Sequence, residues 1–144
     1  MTTLTRADWE QRAKDLKIEG RAYINGEYTA AVSGDRFECI SPVDGRLLTS
    51  VASCDVADAQ RAVENARATF NSGVWSRLAP AKRKATMIRF AALLKANAEE
   101  LALLETLDMG KPISDALNID VPGAANALSW SGEAIAWKIP FADY

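Results

Sequence analysis

The sequence contains Leu-Glu-Thr-Leu-Asp-Met-Gly-Lys-Pro at residues 104–112, which closes a long helical pattern that starts at Pro80. Apolar residues recur through this stretch at the three- and four-residue spacing of an amphipathic helix. They are Met87, Phe90, Ala91, Leu94, Ala98, Leu101, Leu104 and Leu107. Proline suits the first position of a helix, and Gly110 followed by Lys111 and Pro112 is typical of a helix end. The pattern predicts one helix from Pro80 to Gly110.

This predicted helix has a second apolar flank and an unusual length. Leu93 and Leu103 lie off the main stripe, so the helix is expected to be sandwiched between other parts of the fold. At ~1.5 Å per residue it would span about 45 Å, more than the roughly 35 to 40 Å diameter of a compact domain of this chain length. A rod of this kind is expected to belong to a larger body.

The N-terminal third is predicted to hold a short helix and then strands. Residues 1–20 read as a helix or a frayed arm, in which Thr5 suits the N-cap and Asp8 follows three residues later. Residues 21–52 read as a small β meander, because β-forming residues alternate between turn signals. Its predicted strands lie within residues 21–28, 36–40 and 47–52, with turns at Asn25-Gly26 and residues 41–45.

Residues 55–136 are predicted to be a helical layer. Asp55 suits the N-cap of a helix whose apolar residues Val56, Ala59, Val63, Ala66 and Phe70 keep helical spacing. After the long helix, a further helical stretch begins around Asp115 and passes Val121, Ala125, Leu128 and Ile135. Pro122 and Gly123 predict a kink or a restart in it.

The composition excludes several classes of function. With 144 residues and a net charge of −2, the chain has no basic field for nucleic acid. It has no histidine, which removes serine–histidine and cysteine–histidine catalysis and imidazole metal sites from this chain acting alone. No apolar run is long enough to span a membrane and no signal-peptide layout is present, so a cytoplasmic location with reduced thiols is expected by default.

Asp108 is the most informative polar residue, because a carboxylate in the last turn of a helix faces the negative end of the macrodipole. It could hold a monovalent cation together with nearby carbonyl oxygens, or it could be solvated or paired with Lys111. Two other acids, Asp115 and Asp120, could face a pocket for a cationic substrate, but exposed helix residues are the simpler interpretation.

The cysteines and glycines suggest no further site. Cys39, in a predicted strand, and Cys54, before a predicted helix, are both interpreted as small core residues. A reactive Cys54 with a pKa lowered by the helix dipole is the alternative. The chain contains neither Gly-x-Gly-x-x-Gly nor a P-loop, so it shows no cradle for a pyrophosphate.

Several stretches together resemble the N-terminal segment of the aldehyde dehydrogenase superfamily. They are residues 23–28 (YINGEY), 41–45 (SPVDG), 62–70 (AVENARATF) and 104–112 (LETLDMGKP). With residues 79–85 (APAKRKA) and 120–125 (DVPGAA), the chain resembles the bacterial γ-glutamyl-γ-aminobutyraldehyde dehydrogenases of polyamine catabolism. The resemblance covers roughly residues 8–135.

The resemblance implies an α/β fold, of which this chain is the N-terminal part: short β strands followed by three mainly long helices, within an incomplete cofactor-binding domain. It also implies oxidation of an aldehyde, here an amino-aldehyde, to the acid with NAD or NADP as acceptor. The family's catalytic cysteine and glutamate and its cofactor loops come later than Tyr144. The chain therefore resembles the first quarter to third of such an enzyme, with no catalytic or cofactor-binding residue of its own.

The resemblance also implies two sites. Asp108 and the backbone carbonyls of Ile40 and Cys39 match positions that bind a sodium or potassium ion in many family members. Asp120 matches the acidic residues that face the substrate entrance in members that use amino-aldehydes, and Gly123 would leave that entrance roomy.

Residues 137–144 depart from the family pattern, and a frameshift, an early stop or a truncated gene copy would each explain such an atypical tail. A truncated fragment is expected to be inactive alone, to bind no cofactor tightly, and to self-associate. The alternative is a stand-alone interaction protein that docks onto full-length aldehyde dehydrogenases through Trp130, Trp137 and Phe141. No partner among nucleic acids or membranes is expected.

Overall fold

The computed structural model describes residues 4–135, in which four short strands precede a mostly helical region. The elements are α1 (Arg6–Asp15), β1 (Ala22–Ile24), β2 (Glu27–Thr29), β3 (Arg36–Ile40), β4 (Leu47–Ala52), α2 (Val56–Ser72), α3 (Pro80–Ala96), α4 (Ala98–Met109), α5 (Ile113–Asp115), a π-helix (Ala116–Asp120) and α6 (Val121–Ala134). This order confirms the predicted fold class. The predicted atypical tail, residues 137–144, lies outside the described residues.

Both helix starts that were predicted from acidic residues are confirmed as capping boxes. The Thr5 hydroxyl accepts from the Asp8 backbone N–H at 3.3 Å, and the Asp8 carboxylate accepts from the Thr5 N–H at 2.7 Å. Asp55 and Asp58 form the same reciprocal pair at the start of α2. Each box satisfies backbone donors that a helix start otherwise leaves unpaired.

The predicted strands are confirmed, but a single β meander is wrong. β1 pairs only with β2 and β3 only with β4, which gives two separate antiparallel hairpins. The connection between β2 and β3 turns away toward α2, where the Val32 N–H donates to the Asp58 carboxylate at 3.1 Å. Because this connection is held by a helix, β2 and β3 do not become neighbours in one sheet.

The long helix predicted from Pro80 to Gly110 is wrong, because the chain breaks at Asn97. Asn97 has φ −108° and ψ 22°, and its side-chain amide donates to the Leu93 carbonyl at 2.8 Å. A side chain that bonds a nearby carbonyl competes with the helical ladder. Two helices, α3 and α4, replace the 45 Å rod, while the predicted start at Pro80 and the left-handed end at Gly110 are confirmed.

The core lies where α4, the π-helix and α6 meet. Ala102, Ala116 and Val121 are buried there, and Ala98, Leu101, Ile113 and Leu117 pack against them. α6 also lies along α3, where a Cβ on Gly132 would stand 3.2 Å from the Met87 Cβ. Of the two predicted flank residues, Leu103 is buried, whereas Leu93 is 55% exposed in the part of the chain that the structure describes.

The predicted kink at Pro122 is confirmed and takes the form of a π-helix. The Val121 N–H donates to the carbonyl of Ala116, five residues earlier. Proline has no N–H for the carbonyl four residues before it, and its ring crowds that carbonyl. A wider turn before Pro122 relieves this conflict, and the helix then continues as α6 to Ala134.

The apolar stripe of α2 is not part of this core. Val56, Val63 and Phe70 are 73%, 66% and 59% exposed in the described structure. The opposite face of α2 contacts the first hairpin, where Asn65 donates to the Asn25 side chain at 2.7 Å. Helical spacing therefore predicted the helix correctly but not which face is covered.

None of the helices between residues 4 and 135 combines the length and the apolar character needed to cross a membrane.

We predict that Asp58→Ala lowers the free energy of unfolding by about 2 to 4 kcal/mol, because it removes a cap and leaves buried N–H groups without an acceptor. Asp58 is 1% exposed and accepts from Val32, Asp55 and Arg61. Urea unfolding of the chain would measure the loss. Asp8→Ala removes the matching residue of the exposed box in α1 and should cost much less; equal losses would contradict the role of burial.

Candidate functional site

The end of α4 meets the end of β3, and this contact brings Asp108 beside Cys39. The Cys39 thiol lies 3.5 Å from Asp108 Oδ1, as a hydrogen-bond donor to the carboxylate. These residues are 69 positions apart in the sequence. The structure therefore places Asp108 next to the strand whose carbonyls the resemblance paired with it.

The turn at residues 41–45 packs against the same helix end. A Cβ on Gly110 would lie 3.2 Å from Pro42 Cγ and 3.8 Å from Val43 Cγ2. Gly110 also has φ +76°, which side chains rarely adopt. Glycine is thus required here both for the helix end and for the close approach of the turn.

The pKa of the Cys39 thiol is raised above its usual value, first by burial and then by the hydrogen bond and the negative charge of Asp108. A neutral thiol is a hydrogen-bond donor and a poor nucleophile. Cys39 is therefore suited to hold Asp108 and not to attack a substrate. Cys54 is exposed, so its interpretation as a core residue is wrong.

A monovalent cation fits the donor set near Asp108 better than a divalent one. The described residues contain no cluster of three or more acids or cysteines that could hold a metal. A register shift in the hairpin lies between Cys39 and Ile40, and such bulges disrupt the ladder locally. One carboxylate with backbone carbonyls is a hard, weakly charged oxygen set.

Lys111 is committed to two other acids. Its Nζ lies 2.6 Å from Asp120 Oδ2 and 3.1 Å from Glu105 Oε1. The hydrogen bonds from Asp120 and then Glu105 raise the pKa of Lys111 above its usual value. Pairing between Asp108 and Lys111, one of the two simple interpretations of Asp108, is thus not what the structure shows.

These three residues join successive parts of the chain. Glu105 lies on α4, Lys111 follows its end, and Asp120 ends the π-helix. Sequence reasoning missed Glu105, although its position one and a half helical turns before Lys111 was visible. Asp115, predicted to share a pocket with Asp120, is exposed and accepts instead from the Ser114 hydroxyl at 3.2 Å.

A helix ended by glycine against a Pro-Val-Asp-Gly turn, followed by a π-kinked helix, defines a segment of an aldehyde-oxidising enzyme when it is compared with known proteins. Residues 28–138 match the model of the aldehyde dehydrogenase family. The chain belongs to this family.

Solved and curated relatives agree with that assignment. An indole-3-acetaldehyde dehydrogenase mutant from P. syringae, in complex with NAD+ and IAA, is 81% identical with a TM-score of 0.91, covering 92% of this chain and 27% of that one. The γ-glutamyl-γ-aminobutyraldehyde dehydrogenase of Burkholderia cenocepacia is 52% identical with the same TM-score and the same two coverages. The NADP/NAD-dependent aldehyde dehydrogenase PuuC of Escherichia coli is 50% identical over 129 residues, 90% of this chain and 26% of its own length.

The chain thus spans about a quarter of the length of the relatives that it matches.

We predict that Lys111→Met lowers Tm by about 3 to 5 °C at neutral pH, because it leaves Glu105 and Asp120 facing each other without a cation. A lysine with a raised folded pKa contributes fully below its unfolded pKa, and the contribution is lost only as the pH rises through the folded value. Neutral pH therefore shows the whole effect. Lys111→Arg keeps the charge and should retain most of the stability; equal Tm values for all three proteins would contradict the bridging role.

Proposed function

We propose that this chain forms the N-terminal part of an NAD(P)-dependent aldehyde dehydrogenase that oxidises an aldehyde to the carboxylic acid. The observation that carries the proposal is the family match over residues 28–138, together with 81% identity and a TM-score of 0.91 to a relative solved with NAD+. The site at the end of α4 would then support the fold of the whole enzyme and not its chemistry.

The 144 residues by themselves are proposed to lack turnover. They do not fit NAD(P), since they contain no glycine-rich phosphate cradle. Neither cysteine is arranged as a nucleophile: Cys39 is held as a neutral thiol against Asp108, and Cys54 is exposed before α2 with no basic partner in the described structure. Acyl transfer from an aldehyde needs an activated thiolate.

An amino-aldehyde of polyamine catabolism is the first candidate substrate class. It is supported by 52% identity to a relative named for γ-glutamyl-γ-aminobutyraldehyde. Asp120, proposed at the substrate entrance, belongs to a group of two acids and one lysine whose net charge is −1. That charge would attract a cationic substrate, although the Asp120 carboxylate is already bound by Lys111 at 2.6 Å.

An aryl-acetaldehyde is the second candidate class. It is favoured by the higher identity, 81%, to a relative named for indole-3-acetaldehyde. The binding of Asp120 by Lys111 supports this candidate, because a neutral aldehyde needs no free carboxylate at the entrance. The two classes differ in charge, so one comparison of substrates separates them.

Asp108 is proposed to hold a sodium or potassium ion with the backbone carbonyls of Ile40 and Cys39. The support is the position of Asp108, which stands at the negative end of α4 and close to a strand bulge. A cation there would offset the repulsion between the carboxylate and the helix dipole.

A stand-alone interaction protein is the alternative function. It is favoured by the exposed stripe of α2, where three large apolar side chains lie at heptad spacing. Such a stripe would support self-association or docking onto a full-length aldehyde dehydrogenase. Trp130 is 65% exposed and could contribute, whereas Trp137 and Phe141 lie outside the described residues.

We predict that the purified 144-residue chain forms no NADH or NADPH from either an amino-aldehyde or indole-3-acetaldehyde. The absorbance of the reduced nicotinamide would be followed with both cofactors. A full-length relative such as PuuC serves as the active control. Turnover by the chain above the background of a Cys39→Ser, Cys54→Ser variant would contradict the prediction.

The intact mass of the endogenous product decides which of the two functions to pursue. A mass near 15.6 kDa would favour the interaction protein, which should then co-purify with a full-length dehydrogenase. A much larger mass would favour the enzyme. The ratio of kcat/KM for the two aldehydes, measured on that larger protein, would then choose between the substrate classes.

We predict that sodium or potassium chloride raises the Tm of the chain by about 2 to 4 °C over choline chloride at equal ionic strength, as expected for weak binding to the folded state. Asp108→Asn should abolish this difference. Asp115→Asn, which removes an exposed acid elsewhere, should preserve it. A difference that survives in Asp108→Asn would contradict the proposed cation site.

A further inference from the structure

A cavity of about 830 Å³ lies between α1 and the rest of the chain. α1 buries none of its own residues and is fastened by an ion pair between Arg12 and Glu99 at 2.5 Å. Trp9 and Ala13 of α1 form one wall, and Leu103 and Leu107 of α4 form the facing wall. The helix therefore covers an apolar space that its own side chains do not fill.

The size and the walls of this cavity suit a small apolar ligand. Ligand sites generally occupy roughly 300 to 1,000 Å³ and are lined mainly by apolar side chains with a few polar groups. Ile113 and Leu117 extend the apolar lining beyond α4. The cavity is separate from the contact between Cys39 and Asp108, neither of which lines it.

One polar atom in the wall of the cavity is without a partner. Thr106 Oγ1 is buried and makes no hydrogen bond with any of the described residues. A buried hydroxyl without a partner is destabilising, and such groups usually bond protein, water or ligand. Thr106 therefore indicates a hydrogen bond to a polar atom of whatever occupies the cavity.

The charges at the rim favour an anion. Arg6 is paired with Glu10 at 2.7 Å, and Arg46 is paired with Asp44 at 3.3 Å. Lys14 also lines the cavity and makes no ion pair within residues 4–135. The rim thus has a net charge of +1, and the one cation without an acidic partner there is on α1.

We propose that this cavity binds an apolar carboxylic acid that carries a second hydrogen-bonding group. The apolar part lies between α1 and α4, the carboxylate pairs with Lys14, and the second group bonds the Thr106 hydroxyl. The inference does not depend on the proposed function, because none of these residues has a role in the dehydrogenase reaction.

Calorimetric titration of the full 144-residue chain tests the proposal with three probes: decanoate, 10-hydroxydecanoate and decanol. Saturable binding of both acids is expected. Lys14→Gln should weaken both acids roughly three- to fivefold and leave decanol unchanged, as expected for a partly exposed ion pair. Lys17→Gln removes the same charge outside the cavity and should change no affinity.

Two variants test the interior of the cavity. Ala13→Trp fills the space and should abolish binding of all three probes, with circular dichroism as the check that the helices persist. Thr106→Val removes the unpartnered hydroxyl and should weaken 10-hydroxydecanoate selectively. The proposal is overturned if the wild-type chain shows no saturable binding, if Lys17→Gln acts like Lys14→Gln, or if Ala13→Trp binds the acids normally.

Discussion

The buried carboxylate of Asp58 is the constraint on which the N-terminal half depends. It accepts from the backbone of Val32 and Asp55 and pairs with Arg61, all within 3.3 Å. A buried charge is tolerated only when it is paired and hydrogen-bonded in this way. Because the connection after the first hairpin is fixed on α2, the second hairpin pairs with itself and extends β3 toward α4.

Two interruptions of helical structure then place the residues near the site. Asn97 ends α3 and lets α4 take its own direction, and Pro122 forces the π-helix that carries Asp120. Lys111 follows the end of α4 and reaches acids on both sides of it. The candidate site is thus built from the ends of regular elements, where backbone and side-chain groups are free to face one another.

The neighbours of Asp108 and Asp120 define what each can do. A neutral thiol donates to Asp108, which leaves the carboxylate with oxygen capacity for a cation. Lys111 binds Asp120, which reduces the charge available for a substrate. The apolar stripe of α2 and the cavity under α1 lie away from both, so different parts of the surface carry the association and ligand-binding proposals.

The sequence by itself determined the helix starts at Thr5 and Asp55, the end at Gly110, the kink at Pro122 and the family. These features depend on residues a few positions apart, whose side chains and backbone satisfy one another locally. Only the tertiary structure decided the break at Asn97, the burial of Asp58, the exposure of Val63 and the choice of Asp120 by Lys111. Each of these depends on which distant surface lies opposite, because a residue with several local options takes the one that the packed neighbours leave open.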